Sequence, residues 1–406
     1  MPSFLTHWYI LIETARRSQD AGSTLSSLVI DLETLRRRGQ QQPSDSPAGT
    51  VWDTGPLPRV LAHHPGSDIS AMAYLGALAP DIPYFRWRAF WRKVSGKERY
   101  HQIRMQPFDK EQIPWGRLLH TNRSGDFLLA FLEQLARIPS PALRSQALAF
   151  AMGYVSHIAA DLALHPYINA LAAAYRPQDV PGRFLPLDMH AYVELCLDEY
   201  LASIYFRQHL HSWFQQTWSG YIEPAARQIT TPNTIAAQTI TLLSGAARTT
   251  YGLDEQQSDR FHTHYLAGAR GLRSYLAGRG VFSWLPVNAL LRRRTHDPII
   301  ATLHTAGPRS DITTLDEVLE YAIRLSELLC RRAMTYYTAL RKTATSAEER
   351  KQKREELAYD LRNWDLNSGY TLDVSFDQEI TLSFLHNWIY FADLWPQQSR
   401  YPHSLS

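Results

Sequence analysis

The residues best suited to chemistry lie in one short stretch, Gly153-Tyr-Val-Ser-His157-Ile-Ala-Ala-Asp161-Leu-Ala-Leu-His165-Pro166. At 3.6 residues per turn, positions 157, 161 and 165 form a nearly straight row along one helical face. Their neighbours are almost all apolar, so the row belongs in a core, where polar groups without partners cost roughly several kcal/mol. A metal ion would satisfy two imidazoles and a carboxylate together. His190 and Glu194 are also one turn apart in an apolar helical context. Alone, such a pair more often makes a simple hydrogen bond; beside the His157 row it extends a donor set. Imidazole and carboxylate without thiolate suit zinc or another first-row divalent ion, and the lack of a cysteine ligand favours a catalytic over a structural site.

The elements that must position these residues read as helices. Apolar side chains share one face over residues 3 to 17, and a second apolar stretch follows around Leu25, Leu28, Val29 and Leu35. Residues 38 to 58 offer little to bury and read as a solvated loop, with a functional lid as the alternative. A small-residue helix spans Ser70 to Ala79, and Pro80 and Pro83 then fix a stiff corner that carries Asp81. Ser140-Pro141 is an N-cap and first-turn pair that launches the helix bearing the metal row. Further helices are expected over about 187–206 and 311–341, and a mixed-charge solvated helical face over 348–356. The alternating residues 371–376, pairing with 379–384, predict one short β-hairpin.

Composition narrows the function classes. Of 406 residues, 45% are hydrophobic and 20% charged, which excludes disorder for most of the chain. Forty-two basic against 39 acidic side chains leave +3, too balanced to predict a nucleic-acid or membrane-surface partner from bulk charge. Cys196 and Cys330 lack zinc-ribbon spacing and read as buried thiols. No uninterrupted run of about 18 apolar residues occurs, and the first residues do not read as a signal peptide, so the expected location is cytoplasmic.

The His157/Asp161/His165 row, the His190/Glu194 pair, the Asp81 corner, His120 in Leu-Leu-His and His7 in Leu-Thr-His-Trp together resemble the zinc-dependent phospholipase C family. The likeness runs over about residues 1 to 225. It implies an all-α fold, shared with zinc-dependent single-strand nucleases, with residues 226–406 a mainly helical extension. It also implies a cluster of two or three zinc ions. Asp81, His120, His157 and Asp161 would hold the first, His165, His190 and Glu194 the second, and His7 with a bridging Asp161 the third. In secreted members the amino-terminal nitrogen also binds the third ion, a ligand not expected here. The second histidine of the row also follows the aspartate more closely than in the secreted bacterial enzyme.

The implied activity is hydrolysis of a phospholipid or other phosphodiester by a zinc-activated hydroxide, with Asp81 as catalytic proton acceptor as well as ligand. Trp8, Tyr84, Phe85, Trp87 and Tyr154 are placed chiefly in the core, with a cleft role as the alternative. A nuclease of the same fold is the second reading, with Arg86, Arg88, Arg92 and Lys93 as its basic track. A non-enzymatic helical interaction protein with structural metals is the third. His296-Asp297 imitates another metal-phosphohydrolase dyad but precedes Pro298 in a basic loop without matching upstream histidines. His63, His64, His209 and His211 read as solvent-exposed.

Overall fold

The computed structural model describes residues 4–20, 67–85, 115–174, 189–204, 223–231, 234–281, 315–367 and 370–371. These residues are all-α in class. In chain order the helices are α1 (Phe4–Asp20), α2 (Ser67–Gly76), a 3-10 turn (Ile82–Phe85), α3 (Trp115–Thr121), α4 (Ser124–Ala136), α5 (Pro141–Ala174) and α6 (Met189–Ile204). They continue with α7 (Glu223–Thr230), α8 (Ile235–Tyr251), α9 (Glu255–Val281), α10 (Leu315–Arg341) and α11 (Ala347–Leu361). Two short antiparallel strands follow, β1 (Trp364–Asp365) and β2 (Tyr370–Thr371), with Trp364 opposite Thr371. This hairpin is not the pairing of 371–376 with 379–384 expected from the alternation, of which only Thr371 lies within the described residues.

The central element is α5. It starts as its sequence dictates, with the Ser140 hydroxyl accepting from the Leu143 amide at 3.4 Å and Pro141 in the first turn. Apolar residues cover nearly its whole circumference because α1, α2, α4, α6, α8 and α10 all pack against it. By length and composition Pro141–Asn169 is apolar enough to cross a membrane, yet its most apolar window is entirely buried inside the protein. Pro166 sits within α5, where it removes one helical hydrogen bond, and the helix continues past it to Ala174.

The crossing of α2 on α5 is set by two glycines. A Cβ on Gly153 would lie 2.0 Å from the Ala73 carbonyl oxygen, and one on Gly76 would lie 2.0 Å from that of Phe150. The two backbones therefore touch, and no larger residue fits at either position. α2 ends at Gly76, earlier than its small-residue run suggests. The chain then tightens through Leu78 N to Leu75 O and Ala79 N to Gly76 O bonds, because the prolines that follow disfavour continued α-helix. Backbone contact at the crossing sets this corner beside the middle of α5.

One continuous apolar cluster includes residues from α1 to α6 and equally from α8, α9, α10 and α11. α10 buries Leu315, Val318, Leu319, Ala322, Leu325, Leu329 and Ala333, and its polar face joins α1 through an Arg17–Glu320 ion pair. Both cysteines are buried free thiols. The Ser346 hydroxyl caps α11 by accepting from Glu349 N, and α11 buries only Leu357, Asp360 and Leu361. This is the solvated charged face that its composition implies.

Gly153→Ala should destabilise the chain by about 3 kcal/mol, at the upper end of overpacking costs, because the new methyl meets backbone rather than a movable side chain. Gly252→Ala, at φ 63° with open space around the new Cβ, should cost only about 1 kcal/mol from backbone conformation. Urea unfolding of both variants tests the crossing, and equal costs would contradict it.

Candidate metal centre

Five elements deliver eight side chains to one buried place. His7 comes from α1, Asp81 from the corner after α2, and His120 from the last turn of α3. α5 brings His157, Asp161 and His165, and α6 brings His190 and Glu194. α1 is pinned over the site because the Thr6 amide and hydroxyl both donate to Asp198 Oδ1 on α6, at 3.0 and 2.9 Å. The Trp8 indole N–H also donates to the Tyr74 carbonyl on α2. The corner is held by Asp81 N donating to Leu78 O, and from the far side by the Tyr265 hydroxyl of α9 donating to Ala79 O at 2.9 Å.

Three groups of donor atoms result, His7/His157/Asp161, Asp81/His120/His157 and His165/His190/Glu194, each with its atoms within 4.8 Å of one another. Asp161 joins them. Its Oδ2 lies 3.0 Å from His157 Nε2 and 3.7 Å from His120 Nε2; its Oδ1 lies 3.5 Å from His7 Nε2 and 3.8 Å from His165 Nε2. His120 Nε2 is 3.4 Å from Asp81 Oδ1, and Glu194 Oε1 is 3.1 Å from His190 Nε2 and 3.5 Å from His165 Nε2. Ligand bonds of about 2.1 Å to tetrahedral zinc separate neighbouring donors by about 3.4 Å. Most of these spacings are therefore too long for hydrogen bonds and right for atoms that share an ion.

Hydrogen bonding on the far side of each ring fixes which nitrogen faces inward. His157 Nδ1 donates to Ala77 O at 2.8 Å, His120 Nδ1 to Gly116 O at 2.6 Å, and His165 Nδ1 to Leu366 O. A carbonyl can only accept, so Nδ1 carries a proton whatever the charge of the ring, and Nε2 is the inward nitrogen that an ion can take once any proton on it is displaced. His190 Nδ1 donates to Asn169 Oδ1 at 2.8 Å, and the Asn169 amide is itself oriented by donating to Asn367 O. His7 is instead steadied by stacking on His157, with ring centroids 4.1 Å apart.

Several inward atoms lie close to other donors of the cluster without making a well-formed hydrogen bond. His157 Nε2, Asp161 Oδ2 and Asp81 Oδ2 are buried without a hydrogen bond. At roughly 1–3 kcal/mol for each such group, a fold that gathers three of them in one place is explained by an ion between them. The donor set fits zinc. Among the eight residues only His190 reaches 19% side-chain exposure, the others being 9% or less, so the site meets solvent on the α6 side.

Electrostatics point the same way. Burial favours neutral carboxyls, yet the surrounding imidazoles outweigh it, His120 and His157 at Asp81 and His157 and His165 at Asp161, and hold both groups below their usual range. Glu194 is likewise held low by His190 and His165 against its burial. Burial, with His157 adjacent, pushes His7 down to about 3. Burial also opposes charge on His157 and His165, but Asp161, with Glu194 at His165, prevails, raising His157 and bringing His165 up to about 9.

Residues 55–228 match the zinc dependent phospholipase C family. No curated protein and no solved structure matches. The matched span includes seven of the eight clustered residues, all but His7. Family match and histidine–carboxylate clusters together support a zinc-dependent hydrolase.

All eight residues singled out in the sequence come together. Trp8, Phe85 and Tyr154 are buried in the core, whereas Tyr84 is half-buried with its ring 5.4 Å from that of His120. Arg86, Trp87, Arg88, Arg92, Lys93, His63, His64, His209, His211, His296 and Asp297 lie outside the described residues, as do residues 38–58 and the apolar stretch around Leu25 to Leu35. Sequence reading missed Asn169, although it continues the four-residue spacing of 157, 161 and 165. It also missed the backbone acceptors at Ala77, Gly116 and Leu366, which carry no residue-type signal.

Metal uptake by this centre must displace protons from imidazoles that the carboxylates hold charged, His165 foremost. Zinc affinity should therefore fall as pH falls from 8 to 6, and zinc binding at pH 7 should release protons, measured by calorimetry in buffers of different ionisation enthalpy. A pH-independent affinity would contradict the ligand assignment.

Proposed function

We propose that the chain is a metal-dependent phosphodiesterase that hydrolyses a phospholipid or another phosphodiester. The observation that carries this reading is the convergence of five imidazoles and three carboxylates on one buried point, with four rings pre-oriented through Nδ1. His157, His120, Asp81 and Asp161 would hold one ion, His165, His190 and Glu194 a second, and His7 with Asp161 a third. Bound zinc supplies Lewis acidity toward phosphoryl oxygens and lowers the pKa of water toward neutrality.

The protein's own contributions follow from its geometry. Three carboxylates cannot neutralise two or three divalent ions, so a loaded site keeps surplus positive charge and favours an anion such as a phosphodiester. Asp81 Oδ1 faces His120, whereas Oδ2 is buried without a hydrogen bond. Because the neighbouring imidazoles keep Asp81 ionised, Oδ2 is the atom that can accept a proton from attacking water. As the oxygen–phosphorus bond forms, the ester bond in line with it breaks, and the proton taken from water passes on to the departing alkoxide, so that the products are an alcohol and a phosphomonoester. Ile158 and Leu162 on α5 are buried in the apolar core beside the ligands, where bulk water is excluded.

Purified protein should contain two to three zinc ions per chain and turn over a chromogenic phosphodiester. Chelation should abolish turnover, and His157→Ala and Glu194→Ala should each lower metal content and reduce turnover by at least about a hundredfold. Parallel assays on phosphatidylcholine vesicles and single-stranded DNA separate the lipid from the nucleic-acid substrate. Folded, zinc-replete protein that hydrolyses no diester would overturn the enzymatic reading.

A further inference from the structure

The segment that follows α11 touches the metal centre from outside the family-matched region. Leu366 N donates to His120 O at 2.8 Å, and Leu366 O accepts from His165 Nδ1. Next to it, Asn367 O accepts from Asn169 Nδ2 at 3.0 Å, and Asn169 Oδ1 in turn accepts from His190 Nδ1. Two consecutive residues thus join α3 to α5 and orient two of the three ligands in the His165/His190/Glu194 group.

The same segment is anchored at its other end on α4. Arg123, which precedes α4, has left-handed φ 53° and makes no side-chain cap bond. Asn363 supplies the cap from a distance, its Oδ1 accepting from Asp126 N at 3.1 Å and its Nδ2 donating to Asp126 Oδ2 at 3.2 Å. The Ser124 hydroxyl donates to Trp364 O at 2.9 Å. Gly125 leaves the room this needs, since a Cβ there would lie 2.0 Å from the Arg362 carbonyl oxygen. A segment that met the core only through apolar side chains would need none of these polar ties.

We propose that residues 363–367 form a strap that is part of the metal centre, fixing the His165/His190/Glu194 group through the Leu366 carbonyl and Asn169, so that strap docking and divalent-metal loading of that group strengthen each other. The inference rests on the metal-site reading above. By linkage the coupling is reciprocal: whatever factor docking adds to metal affinity, metal adds to docking. Asn169 is a positioning residue that acts through His190, and changes to ligand-orienting partners typically lower metal affinity by about 10- to 100-fold.

The test uses the full-length chain. Hydrogen exchange of peptides covering residues 363–367 is followed with and without zinc, and zinc affinity is measured by competition with a chromophoric chelator. Zinc should slow exchange of the wild-type strap by at least about tenfold. Asn363→Ala, which frees the strap end remote from the ligands, should weaken one zinc equivalent by about tenfold and leave the others unchanged. With cobalt(II) in place of zinc, Asn169→Leu should change the visible absorption, and Asn169→Asp, which can still accept from His190, should restore it. If the wild type binds zinc but strap exchange does not respond, the strap is mere packing and the inference fails while the metal site stands. If the wild type binds no zinc, the metal-site reading fails first and takes the inference with it. Should Asn363→Ala not fold, wild-type exchange decides alone.

Discussion

Asp161 is the group on which the site depends. One carboxylate, 3% exposed, has four imidazole Nε2 atoms within 3.8 Å, contributed by α1, α3 and its own helix α5. A buried charge on this scale is tolerable only when paired, and each imidazole that approaches it commits a helix to a position. Asp161 thereby ties the entry of α1, the end of α3 and the rotation of α5 about its own axis. No other residue in the described structure has neighbours of that kind from so many elements. The ligand set is therefore a statement about tertiary structure as much as about chemistry.

What lets Asp161 have these neighbours is backbone proximity elsewhere. The glycine crossing of α2 on α5 brings the Ala77 carbonyl onto His157 and the Asp81 corner beside His120. With a side chain at either glycine, the helices would separate by more than the tolerance of a metal–ligand bond. Tyr265 adds a brace to that corner from α9, an element far along the chain. The site is thus framed by contacts whose own residues never touch a ligand atom.

Much of the first layer was legible in the sequence, for a physical reason. His157, Asp161 and His165 share a helical face at fixed spacing, and polar residues in that register among Ile, Ala and Leu demand a partner wherever the helix lands. The Ser140-Pro141 start of α5 and the proline-bound corner at Asp81 are local signals of the same kind. The second layer was not legible. His157 is oriented by a carbonyl 80 residues away and His165 by one 201 residues away, and every residue owns a carbonyl. Only Asn169 left a mark in the pattern, as the next step of the four-residue row, and an asparagine there has too many ordinary explanations to be singled out without the strap in view.

The end of the family match at residue 228 shows the same limit from another side. Donor residues announce themselves by type, so likeness to a family is strongest where donors are, and the matched span ends at 228. Supporting elements announce themselves only by apolar periodicity, which says that a helix is buried but not against what. α9 backs the Asp81 corner, α10 packs on α5, and the segment after α11 accepts a hydrogen bond from a ligand ring. Helices beyond the match are consequently part of what holds the donors within a few tenths of an ångström. A metal site with ligands on five separate elements needs such support, because each ligand's position is only as fixed as the element that carries it. Here α5 contributes three donors and is enclosed on all sides, while α3, seven residues long, contributes one and is tied through His120 O to the strap. The tie adds to the packing of a short element that buries Trp115, Leu118 and Leu119, and it acts on the residue that carries the ligand ring.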